Sequence, residues 1–174
     1  MSPKDAGFYI ASQLAGGILG VQVAAILLGM PLGHSAVNYA VTQPGGFGPA
    51  VAFAGEFVIS SGLFMAILTM SNNPVLSRWT PLVSGLLIAV YIMFEAPLSG
   101  MSMNPARTLG SAVCAADYTG IWIYFTAPVL GMLTAAMAFQ ASHGEDHIFC
   151  AKLHHHNTLR CIFRCNYGSL HAKQ

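Results

Sequence analysis

Charge is what this chain has least of. Of its 174 residues, 7% are Asp, Glu, Lys or Arg, where ordinary water-soluble domains carry about a quarter. The shortage is uneven: no such residue occurs from Ala6 to Gly55 or from Tyr118 to Gly144, and each stretch exceeds the roughly 20 apolar residues of a membrane-crossing helix. With a hydrophobic share of 55%, water is not the solvent of most of this sequence. A net charge of +1 offers no field to a polyanion and argues against a nucleic-acid partner. The opening Met1-Ser2-Pro3-Lys4-Asp5 lacks the basic region, apolar core and cleavage site of a secretory signal. No phosphate loop, Ser-His-Asp arrangement or facing carboxylate pair stands at usable spacing, so an enzyme is not indicated.

What is present reads as an all-α membrane protein. The apolar sequence divides into four expected spans, about residues 7–29, 50–70, 81–98 and 120–141. Ala15, Gly16, Gly17 and Gly20 give the first span small surfaces for close helix approach. Pro31, Gly33, Pro44, Gly45, Gly46 and Gly48 mark a long outer loop after it, and Ser71-Asn72-Asn73-Pro74 ends the second span. Four spans bring both termini to one side. Lys4, Arg78, Lys152, Arg160, Arg164 and Lys173 all fall there, which makes that side, and the termini, cytoplasmic. Arg107 alone lies opposite.

Between the last two spans, Met103-Asn104-Pro105-Ala106-Arg107-Thr108-Leu109-Gly110 places a helix start inside apolar sequence. Asn104 suits the cap, and Pro105, with no N–H and a fixed φ, suits the first helical position. About residues 104–114 form this helix, too short to cross a bilayer, so the segment enters and turns back. Hydrocarbon tolerates a helix end and an unpaired guanidinium only where they line a cavity or touch protein. Glu56, inside the second expected span, is costly for the same reason and is expected to accept backbone amides of the neighbouring half-helix. Glu95, near the outer end of the third, is expected to be solvated or paired with Arg107. Asp117 and Tyr118 read as an ordinary loop.

The stretch from Ser102 to Val113 resembles the second pore motif of the aquaporins, the major intrinsic protein family of water and small-solute channels. Ala36-Val37-Asn38-Tyr39 with Thr42-Gln43-Pro44-Gly45, Glu56, and Pro128-Val129-Leu130-Gly131 resemble that family's outer loop, buried glutamate and last helix. The resemblance covers about residues 5–141 and implies a partial channel domain over 1–141, followed by a cytoplasmic His/Cys-rich tail over 142–174. It implies a homotetramer in the lipid bilayer, each protomer with its own pore and no cofactor, passing water and small neutral solutes. Asn104, Pro105, Ala106 and Arg107 would line the filter, with Ile92 where water-selective members often carry histidine and Met101 where a loop residue presents its backbone. Ile92 would ease glycerol, whereas Thr108, Ala112, Tyr124 and Phe125 point back to water. The family carries six spans and two Asn-Pro-Ala half-helices, so the resemblance also implies an N-terminally truncated form that lacks two spans and one motif.

The alternative reading is a non-conducting membrane fragment whose tail binds metal or lipid headgroups. His143, His147, Cys150 and His154 fall at offsets of 0, 4, 7 and 11, one face of a helix if the tail is helical, and Cys161 and Cys165 form another i, i+4 pair. Thiolate and imidazole suit zinc or copper. The plainer reading sets Lys152, Arg160 and Arg164 against anionic lipid, with the thiols reduced.

Overall fold

A computed structural model describes residues 2–73 and 75–144. Helix α1 spans Pro3–Leu28, with Ser2 as its cap: the Ser2 hydroxyl accepts from the Asp5 N–H at 3.1 Å, and Pro3 opens the first turn. Gly29, at φ +65°, ends it. A short α2, Met30–Gly33, and a single 3-10 turn, Asn38–Ala40, lead through the loop to α3, Pro49–Ser71. Another 3-10 turn, Ser77–Trp79, opens α4, Thr80–Phe94, which is followed by α5, Ala96–Ser99. Helix α6 spans Pro105–Ala115 and α7 Ile121–His143. No strand occurs among the described residues.

Among the described residues four helical stretches are long and apolar enough to cross a bilayer: α1, α3, α7, and α4 together with the 3-10 turn before it. At 1.5 Å per residue the 11 residues of α6 reach about 16 Å, half the hydrocarbon thickness. The chain is thus an all-α membrane bundle with one half-helix. Where the sequence pattern suggests one helix to residue 98, α4 stops at Phe94: Pro97 has no N–H for the Met93 carbonyl and its ring would clash with it.

Small residues bring the backbones together. A Cβ on Gly17 would lie 2.5 Å from the Ala106 carbonyl oxygen, and one on Gly110 would lie 2.5 Å from the Gly17 carbonyl oxygen, so α1 and α6 meet reciprocally through their glycines. On the other side α3 packs along α7, where a Cβ on Gly131 would lie 2.5 Å from the Phe57 carbonyl oxygen. Two apolar clusters lie along α3: Ala52 with Ile123, Tyr124 and Ala127 of α7, and Ile59 and Leu63 with Met101 and Met103 of the segment before α6. Gly110→Val is expected to lower stability by roughly 2–3 kcal/mol through overpacking, read as a lower melting temperature in detergent. An unchanged melting temperature would contradict the close contact of α1 and α6.

Phe8, Ile10, Leu19, Ile26 and Leu27 of α1 and Leu82, Leu86 and Met93 of α4 are exposed. Such faces suit acyl chains or another apolar surface better than water.

Candidate pore-lining site

The site is built on a buried carboxylate. Glu56 is 0% exposed in mid-α3 and would be prohibitive there without donors. It has three: the Ser99 hydroxyl at 3.0 Å, the Ser102 N–H at 2.5 Å and the Met103 N–H at 2.8 Å. Those amides converge because the segment before α6 takes left-handed backbone at Gly100 (φ +79°), Met101 (φ +48°) and Met103 (φ +53°). Two of these are non-glycine residues in a region that L side chains disfavour, so the carboxylate holds the segment in a shape it would not keep alone. The Tyr124 hydroxyl adds a bond to the Ser99 carbonyl at 2.5 Å.

Half-helix α6 begins where that segment ends. Asn104 (φ −150°) caps it, its Oδ1 accepting from the Ala106 N–H at 2.9 Å. Its carboxamide N–H groups are left for another partner. Asn104 and Arg107 are exposed, and Ile92 is 53% exposed, whereas Pro105 is half-buried and Ala106 is buried against α1. Met101 points elsewhere: its side chain is 5% exposed and packs with Ile59, Leu63 and Met103. Only its backbone could face a solute.

Behind the exposed residues runs a chain of hydroxyls. Arg107 donates through Nη1 to the Thr42 oxygen at 3.4 Å, Thr42 and Thr108 are 2.9 Å apart, and Thr108 and Ser102 are 2.5 Å apart. Ser102 in turn donates to the Asn104 carbonyl at 2.9 Å. The sequence reading did not link these residues. The signal was there in kind, since hydroxyls in apolar surroundings must pair, but the pairing depends on how the outer loop folds back. Glu95 also differs from expectation. It is 7% exposed, its carboxylate oxygens have no hydrogen-bond partner, and it lies over Gly55, where a Cβ would start 2.4 Å from Oε1. It does not pair with Arg107; its carboxylate lies against α3 at Gly55.

Asp117 is more than loop filling. Gln43 donates to its carboxylate and the Thr119 N–H does so at 3.0 Å, tying the outer loop to the α6–α7 connection. The Thr119 amide first, then the Thr119 hydroxyl and last the Gln43 side chain hold this carboxyl below the usual carboxylate range.

His147, Cys150, His154, Cys161 and Cys165 lie outside the described residues. His143 stacks on Phe139, ring centroids 4.2 Å apart. Among the described residues no three His, Cys, Asp or Glu side chains come together to hold a metal ion.

The sequence profile of the Major intrinsic protein family matches residues 1–139. The chain belongs to that family. Aquaporin NIP1-3 of Oryza sativa subsp. japonica is 33% identical to it over 139 residues, 79% of this chain and 47% of the relative. Probable aquaporin TIP2-2 of the same plant is 32% identical over 136 residues, 76% and 52% of the two chains. A Nicotiana alata relative, Probable aquaporin NIP-type, is 30% identical over 145 residues, 82% and 52%. The chain therefore spans about half the length of the curated relatives it matches. Within the family match lie both the half-helix and the carboxylate that anchors its entry.

Proposed function

We propose that this chain forms one wall of a passive transmembrane pore for water, with small uncharged solutes such as glycerol also passing. What supports the reading is that Asn104, the cap of α6, and Arg107, three residues on and so on the same side of the helix start, are both exposed although the surrounding sequence is apolar. A face of that kind in hydrocarbon must line water or meet protein. Asn104 donates its amide to a passing oxygen, and the positive end of the α6 dipole opposes protons and cations. Arg107 adds a fixed charge against cations and donors that replace lost hydration. Ile92 leaves its part of the wall aliphatic, which admits glycerol beside water.

Such a face makes a pore only when closed against a second wall with its own donors, so the protein is tested as its own gene expresses it. The proposed setting is a bilayer with the chain ends on the cytoplasmic side, in a homotetramer whose protomers each carry a pore and need no cofactor. In membrane vesicles, Ile92→His is expected to lower glycerol permeability relative to water by roughly tenfold, the low end of what one side chain in a pocket discriminates. Light-scattering measurements of water and glycerol flux on the same vesicles give the ratio. An unchanged ratio removes Ile92 from the constriction, and absence of both fluxes overturns the pore.

A further inference from the structure

We propose that Glu95 is a proton-binding switch beneath the segment that leads into α6: as the neutral acid it leaves the Ser99 hydroxyl to Glu56, and as an anion it draws that hydroxyl away. Glu95 follows α4 directly and is 7% exposed, and no donor among the described residues reaches either of its carboxylate oxygens. Glu56, buried on the neighbouring α3, has three. Two carboxyls in one apolar region thus differ in what they can hold: the one with donors keeps a charge, and the one without is cheapest as the acid. The titratable groups that face Glu95 are Glu56 from α3 and Tyr124 from α7, with Tyr91 one turn back on α4, and none of these is a cation. An ionised Glu95 would therefore be a second buried negative charge beside the first.

Ser99 joins the two carboxyls. A hydroxyl has one hydrogen to donate and two lone pairs to accept with. The Ser99 hydrogen goes to Glu56 at 3.0 Å, and one of its lone pairs takes the Met101 N–H at 3.0 Å. Toward Glu95, which it also faces, Ser99 can then only accept. The acid form of Glu95 suits that arrangement, whereas the anion competes with Glu56 for a single hydrogen. The backbone couples them further, since the Leu98 and Ser99 N–H groups donate to the Glu95 carbonyl at 2.8 and 3.2 Å, and Ser99 rides on the turn that Glu95 begins. Gly55 admits the carboxyl against α3, where a Cβ would collide with Oε1. When the Ser99 hydroxyl turns away, Glu56 loses one of its donors and the Met101 N–H loses its acceptor. Met101 holds a left-handed φ of +48°, so the entry to α6 loosens as the proton leaves.

Two readouts on the full chain in lipid test this, and neither depends on flux. At about pH 6, well above the ordinary glutamate value of about 4.3, infrared spectra of the wild type are expected to show the carbonyl stretch of a protonated carboxyl that is missing from Glu95→Gln. Hydrogen exchange read by mass spectrometry then follows residues 99–104, and comparing proteins at one pH cancels the intrinsic pH dependence of exchange. Wild type and Glu95→Gln exchange alike at about pH 6, where both side chains are neutral. At about pH 9 the wild type exchanges roughly five- to tenfold faster, the change in local opening from losing one net hydrogen bond. Glu95→Met, neutral and of similar length, behaves as Glu95→Gln does and replaces it if the amide variant does not insert. A wild-type spectrum without that band at about pH 6, or equal exchange of wild type and the neutral variant at about pH 9, overturns the proposal.

Discussion

Glu56→Ala is expected to destabilise the protein by roughly 3–6 kcal/mol, since the substitution strands three buried donors at about 1–2 kcal/mol each. The Ser102 and Met103 amides and the Ser99 hydroxyl all rely on this one carboxylate. Without it, Met101 and Met103 have no reason to hold left-handed φ values of +48° and +53°, and the entry to α6 relaxes. Asn104 then loses its fixed place on the wall. Glu56→Gln retains one acceptor oxygen and sets its NH2 against donors, so its loss is intermediate. Thermal unfolding in detergent ranks the three proteins. If Glu56→Ala melts with the wild type, the carboxylate does not hold the segment.

Arg107→Ala acts on selectivity instead of stability, because its guanidinium lies on the exposed face with a single neutral partner. A unit charge about 4 Å from a passing cation, at an effective dielectric near 20, raises the barrier by roughly 4 kcal/mol. That corresponds to about a thousandfold in cation rate, and partial solvation brings the expected rise to between about tenfold and that limit. Water flux changes far less, water being neutral. A pH-sensitive dye inside vesicles, read under an imposed potential, measures the leak of protons, and a potassium-sensitive dye that of larger cations. A variant as tight as the wild type would contradict the role given to Arg107.

How much of this was legible in the sequence follows from the range of the forces involved. The long helices announce themselves because a bilayer demands charge-free runs, and Ala6–Gly55 and Tyr118–Gly144 contain no Asp, Glu, Lys or Arg. The half-helix was legible at its start, where Asn104 and Pro105 carry a local cap that needs no tertiary contact. A glutamate in a span could be read as needing donors, but which amides meet Glu56 depends on left-handed turns at Met101 and Met103 that nothing about methionine suggests. The break after Phe94 was harder, because a proline in a span kinks one helix and ends another. The burial of Glu95 and the Thr42–Thr108–Ser102 chain join residues far apart in sequence. Only the folded outer loop brings Thr42 to Arg107, across 65 positions.

The most direct test of the pore itself is osmotic water permeability by stopped-flow light scattering. Membrane vesicles from cells expressing the protein from its own gene are compared with vesicles from cells lacking it and from cells carrying Asn104→Leu. Faster shrinkage with the wild-type protein is expected, with the weak temperature dependence of water moving through a pore and not through lipid, and a slower rate in the variant. Wild-type vesicles that contain the folded protein and shrink no faster than those without it would contradict the account.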